Sequence, residues 1–135
     1  MIAENSQNVH DRIIVSEVDL VKGRHVSKLL ALIGLRSTLS ASPQQTMELI
    51  RTCVYWQAIV AAELKFSDRS LLEVFSFLPG TIALIAVIPP QRPDLEVLAR
   101  RYSAQCMVRP VRVEQLAAAF GSQSLTRALP CRPPP

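Results

Sequence analysis

The side chains able to do chemistry are few, and they lie at the ends of apolar runs. Glu17 and Asp19 follow Ile13-Ile14-Val15-Ser16, Glu63 follows Ala58-Ile59-Val60-Ala61-Ala62, and Arg109-Pro110 follows Cys106-Met107-Val108. Carboxylates gathered at one end of a sheet can hold a divalent cation, which wants several oxygen ligands, or can pair with a guanidinium through charge-assisted hydrogen bonds. Arg109 is the cation placed to reach Glu17 or Glu63; an Arg109 turned to solvent is the alternative. Other chemistries lack residues. Gly23, Gly34, Gly80 and Gly121 are isolated, so no phosphate-cradling loop exists. His10 and His25 stand apart from any Ser, Cys or Asp arrangement that would make a nucleophile, and read as surface residues. Cys53, Cys106 and Cys131 have no metal-type spacing, and Cys106 reads as a small core hydrophobe. No metal and no cofactor are expected.

These residues need elements to position them. Residues 12–16 form a first buried strand. Asp19 caps the helix that follows, whose Val26, Leu29, Leu30 and Ile33 share one face before Gly34 ends it. Thr38 and Leu39 mark a short second strand. Ser42-Pro43-Gln44-Gln45 supplies an N-cap, a proline at the first helical position and a Gln at N3, with Met47, Ile50 and Val54 as the inner face. Residues 58–62 make the third strand, and Ser67 or Asp68 caps a helix carrying Leu71, Val74, Phe75 and Leu78 until Pro79-Gly80 stops it. Residues 81–88 are a fourth strand. Pro93 opens a fourth helix with Leu95, Leu98, Ala99 and Tyr102 on one face. Residues 106–108 are a fifth strand, and Val113, Leu116, Ala117 and Phe120 mark a fifth helix. Strict alternation of strand and helix implies parallel strands, right-handed crossovers and a doubly wound α/β sheet covered on both faces.

Composition agrees and narrows the function. The 135 residues suit one domain, and 49% apolar with only 5% aromatic residues is the palette of buried parallel strands under helices. The expected division is a polar segment 1–11, a domain 12–120 and a proline-rich linker 121–135. The net charge of +4 is scattered, with no basic run and little aromatic interleaving, which argues against a nucleic-acid role for this domain. No stretch reaches membrane-spanning length, and Met1 to Ser6 lacks the basic and apolar regions of a signal peptide, so the expectation is a cytoplasmic domain without membrane contact.

Across about residues 12–120 the chain resembles the receiver (response-regulator) family of two-component signalling. Members carry an acidic pair after strand one, a phosphoacceptor aspartate after strand three, Thr or Ser after strand four and Lys-Pro after strand five. Here Glu17 matches the first acid and Val18 replaces the second. Gln57 to Ala62 stands where the family has an aspartate, four apolar residues and the acceptor, so Ala62 takes the acceptor position. Ala86 takes the Thr or Ser position, and Arg109-Pro110 takes the Lys-Pro position. A slip of one residue would instead place Glu63 at the acceptor, where its carboxylate would imitate a phosphorylated aspartate.

The resemblance implies a flavodoxin-like five-stranded sheet in the order 2-1-3-4-5 with five helices, and a cis Arg109-Pro110 bond as X-Pro chemistry allows. With Val18, Ala62 and Ala86 in place of two carboxylates and a hydroxyl, phosphoryl transfer loses its acceptor and its metal ligands. The expectation is therefore a pseudo-receiver without enzymatic activity, acting as an interaction module, as in a hybrid sensor histidine kinase. Its partners would be a histidine kinase, a receiver or a histidine-phosphotransfer domain, or a second copy as a homodimer. The resemblance places the contact face on the fourth helix, fifth strand and fifth helix, near Arg100, Arg101 and Arg112. Alternatives are the N-terminal regulatory domain of a transcriptional response regulator, or a small-ligand binder on the same scaffold.

Overall fold

Apolar stretches leave a strand no solvent-facing side, and here they build the interior of one sheet. The computed structural model describes residues 13–78 and 82–128. Strands β1 (Ile13–Ser16), β2 (Thr38–Ser40), β3 (Gln57–Ala61), β4 (Ala83–Ile88) and β5 (Gln105–Val108) pair in parallel in the order β2-β1-β3-β4-β5. Helices α1 (Leu20–Leu32), α2 (Pro43–Thr52), α3 (Leu71–Ser76), α4 (Pro93–Arg101) and α5 (Val113–Ala128) connect or follow them. The chain is thus the doubly wound α/β sheet that the alternation predicts, with the order 2-1-3-4-5. His10, Cys131, the helix stop at Pro79-Gly80, Thr81, and residues 1–12 and 129–135 lie outside the described residues.

Alternation along each strand sorts the core into two layers. Ile13, Val15, Ile59, Ile85, Val87 and Met107 face Val26 and Leu30 of α1 and Leu116 and Phe120 of α5. Ile14, Ala58, Val60, Ala86 and Ile88 face Leu71, Leu72 and Phe75 of α3 and Leu95 and Ala99 of α4. Trp56 closes the first layer with its ring edge-on to Phe120, the centroids 6.0 Å apart.

Local chemistry sets the helix ends. Asp19 Oδ1 accepts from the backbone N–H groups of Val21 and Lys22. At the other end of α1, Gly34 has φ +84° while Gly34 N–H donates to Ala31 O and Leu35 N–H to Leu30 O, the paired bonds of a Schellman stop. Ser42 Oγ accepts from Gln45 N–H, and Gln45 Oε1 reaches back to Ala41 N–H.

Four local expectations are corrected. Ser67 and Asp68 do not cap α3. Both have positive φ and form the two-residue turn of a hairpin between Lys65–Phe66 and Arg69–Ser70, so Ser70 becomes the N-cap and accepts from Leu72 N–H. Val54 does not join the inner face of α2: the helix ends at Thr52 and Val54 is 75% exposed. Ala117 is exposed, whereas Ala119 is buried. Finally, α5 continues past Phe120 to Ala128.

The buried residue of α2 is polar. Thr46 Oγ1 lies 2.6 Å from Ser16 Oγ, 2.7 Å from Ser40 Oγ and 3.0 Å from the Ser42 carbonyl, tying α2 to the ends of β1 and β2. Replacing it by an isosteric apolar side chain takes the partner from the buried Ser16 hydroxyl, while Ser40 Oγ keeps its bond to the Ser42 carbonyl. Thr46→Val is expected to lower unfolding stability by about 1–3 kcal/mol, with the urea midpoint shifted and the slope unchanged. A neutral result would mean that the Ser16 hydroxyl finds another partner.

Candidate functional site

In an open parallel sheet the functional cleft lies beyond the carboxyl ends of the strands. Backbone bonds carry three ladders one residue past their strands at this edge. Glu17 N–H donates to Ser40 O at 3.1 Å, Ala62 N–H to Val87 O at 2.9 Å and Arg109 N–H to Ile88 O at 2.9 Å. Each bond holds a candidate residue, or the neighbour of one, on the rim. Glu63 follows Ala62 in a tight turn closed by Leu64 N–H donating to Ala61 O.

From the end of β5, the Arg109 side chain crosses β4 and β3 to reach β1. Its guanidinium donates to Glu17 Oε2, and to Glu63 Oε2 at 3.1 Å. The two carboxylates are the ones that sequence reasoning offered as alternatives, and Arg109 takes both. Side-chain exposure is 12% for Arg109 and 9% for Glu17, against 38% for Glu63, so the Glu17 pair is the one shielded from water. The crossing is feasible because the strand ends beneath it carry small or aliphatic side chains. Ala61 and Val87 line the cleft beneath Arg109.

Burial is the largest influence on Glu17 and pushes its pKa above the ordinary glutamate value; Arg109 opposes the rise by its charge and hydrogen bond, and the nearby Glu63 charge adds to it. Burial likewise raises the Cys106 thiol.

The remaining expected positions fall as follows. Val18 is 54% exposed and has no part in the cleft. Ala62 is buried but does not line it; Ala61 does. Ala86 sits inside β4, fully buried on the α3–α4 side, so the side chain facing the cleft from that strand is Val87. Ala61 and Val87 line the cleft where Ala62 and Ala86 do not, and none of the four side chains offers a carboxylate or a hydroxyl. The Arg109-Pro110 bond is cis. Arg100 and Arg101 lie on α4, and Arg112 precedes α5, with its N–H bonded to Gln115 Oε1.

Sequence reasoning missed a cavity of about 500 Å³ on the α1–α5 side of this edge. Its walls include Val15, Val26, Ile59, Ala61, Val87 and Val111, and Lys22, His25 and Arg109 also line it. His25 is no bystander: its Nε2–H donates to the Val111 carbonyl at 3.0 Å, joining α1 to the loop before α5. The available signal was the spacing of Lys22, His25 and Val26 on one helical face. Gly23 lets that face approach the sheet, since a Cβ there would lie 2.6 Å from Leu39 Cδ1.

Magnesium, which the receiver resemblance implies, does not fit this donor set. Both carboxylates at the rim are turned to one guanidinium, and β3 ends without an oxygen-bearing side chain. Among the described residues no three His, Cys, Asp or Glu side chains gather to hold a metal, and no helix is long and apolar enough to cross a membrane.

No protein-family model matches the chain, and no curated protein matches it in sequence. Solved structures do. A CheY-like response regulator receiver domain protein from Methanospirillum hungatei JF-1 is 17% identical with a TM-score of 0.69, over 84% of this chain and 92% of that one. The receiver domain of NtrX from Brucella abortus is 14% identical with a TM-score of 0.74, over 84% and 98%. Full-length FixJ from B. japonicum is 16% identical with a TM-score of 0.73, over 84% of this chain and 57% of that one. Likeness at this identity establishes the receiver fold.

Because the raised Glu17 pKa favours its protonated form in the folded state, the group contributes stability below about pH 4.5 that is lost as pH rises through the folded value. Removing Arg109 removes the counteracting charge and enlarges that loss. Arg109→Met is expected to cost about 3 kcal/mol at neutral pH and less in acid, with urea midpoints falling as pH rises. Adding Glu17→Gln should recover most of the loss and flatten the pH dependence. An Arg109→Met protein as stable as the parent at neutral pH would mean that Glu17 is adequately solvated without its partner.

Proposed function

We propose that this domain is a receiver-like interaction module of two-component signalling that accepts no phosphoryl group and catalyses no reaction. The observation that carries the reading is the Arg109 guanidinium held between Glu17 and Glu63 over a β3 end of Ala61 and Ala62. Phosphoryl transfer needs an acceptor carboxylate and a metal to neutralise charge on the transferring group. An alanine end supplies no acceptor, and a guanidinium already in two ion pairs neutralises the rim without a metal. Glu63 gives Arg109 a permanent anion, so the module rests in one state in place of a phosphorylation switch.

Function then resides on the outer surface. The α4–β5–α5 face, with Arg101 and Arg112 and the exposed Val97 and Val108, is the proposed contact for a histidine kinase, a receiver or a histidine-phosphotransfer domain, or for a second copy. A cytoplasmic position within a hybrid sensor histidine kinase, with 1–11 and the residues after the last helix as linkers, is the setting this reading favours. A second setting, the regulatory domain of a transcriptional response regulator, is supported equally by the match to part of full-length FixJ.

Incubation with acetyl phosphate and magnesium, followed by phosphate-affinity electrophoresis, should give no retarded band, while a receiver with an intact acceptor run alongside is retarded. A phosphoprotein that disappears on hydroxylamine treatment would identify an acyl phosphate and overturn the proposal.

A further inference from the structure

We infer that the cavity beside the Glu17–Arg109 pair is a binding site for a small organic acid with an apolar body and one carboxylate. Three features on the α1–α5 side of the cleft converge on this ligand class.

The first is size and lining. A volume of about 500 Å³ falls within the range of small-molecule sites and exceeds what one inserted side chain would fill. The walls are aliphatic, from Val15 and Ile59 on the sheet to Val26 on α1 and Val111 before α5. Water in such a space has few partners, so an apolar body displaces it favourably.

The second is the distribution of charge among the lining groups. The Arg109 guanidinium is committed to Glu17 and Glu63, and the Glu17 charge is thereby offset. His25 Nε2 is committed to the Val111 carbonyl. Lys22 lines the same cavity, and its ammonium makes no hydrogen bond or ion pair with any described residue. An unpaired cation beside an apolar chamber selects an anionic head on an apolar body and disfavours an amine.

The third is location. The chamber lies directly against Arg109, Pro110 and Val111, so an occupant touches both the ion pair and the segment that leads into α5, the helix bordering the proposed partner face. A bound acid is a means of input for a module whose cleft takes no phosphate.

The test is an amide NMR titration of the full chain with phenylbutyrate and, in parallel, its neutral amide, phenylbutyramide. Saturable shifts are expected at Val21, His25, Val26, Ile59, Val87 and Val111, with the acid binding at about millimolar affinity or tighter. Lys22→Gln should weaken the acid roughly threefold to tenfold and leave the amide unchanged. Ala61→Leu, which narrows the chamber at the sheet wall, should weaken both; should that variant fail to fold, the acid–amide comparison on Lys22→Gln decides alone. No saturable shift at these residues, or equal binding of acid and amide with Lys22→Gln without effect, overturns the inference. Labelling by acetyl phosphate would overturn the interaction-module reading without bearing on this one.

Discussion

A buried carboxylate must be neutralised or paired, and the way Glu17 is paired governs the upper edge of the sheet. Glu17 leaves β1 with almost no access to water, and the cation that answers it comes from the far strand, β5, spanning the intervening ends of β3 and β4. Pairs of this kind add little net stability, because desolvation consumes most of the Coulombic gain. What they impose is geometry. Arg109 can reach Glu17 only if β5 ends at the level of β1 and if nothing bulky stands between, which the register from Ser16↔Val60 through Ala61↔Val87 to Ile88↔Val108 and the small Ala61 satisfy together. The ion pair and the small end of β3 are therefore one feature: a bulkier side chain at Ala61 would stand in the path of the guanidinium.

The layered fold was legible because its signals are local and redundant. Each apolar run was long enough to name a strand, and Asp19, Gly34 and Ser42-Pro43 are end signals whose hydrogen bonds form as their chemistry dictates. The misplacements have physical causes as well. Ser67 and Asp68 are good capping residues, but they tolerate positive φ equally well, and an antiparallel hairpin used that property before Ser70 could cap. Thr46 looks like a surface residue in a Pro-Gln-Gln-Thr stretch, and only the parallel arrival of Ser16 and Ser40 makes it a buried hub. No local pattern announces a contact between residues thirty positions apart.

The site was legible at the level of residue types, whereas which strand-end side chains line the cavity was not. Glu17, Glu63 and Arg109 were named from their places after apolar runs, and their convergence followed from strand ends sharing one edge. Which alanine of Ala61-Ala62 and which of Ala86-Val87 faces the cleft depends on the strand's last paired residue, and an apolar run does not encode that. The cavity was invisible for a related reason. It is assembled from one to four side chains each of β1, β3, β4 and α1 with the loop before α5, and none of these short sets announces a cavity by itself.

Charge on the α4–β5–α5 face shows how counting residues overstates a field. Summed along the chain, α4 and its flanks look basic, yet Arg92 is held by Asp94 and Arg100 by Glu96, both on exposed surface. What remains to steer a partner is Arg101 at the end of α4 and Arg112 ahead of α5, on either side of the exposed Val108. Two separated cations flanking an apolar strand end make a modest, directional field, suited to fixing the orientation of an acidic partner surface more than to binding it tightly. The same economy holds at the cleft, where three charges resolve into one buried pair and one exposed carboxylate. In both places opposite charges cancel at short range, and Arg101, Arg112 and, beside the cavity, Lys22 are among the cations that form no ion pair with a described residue.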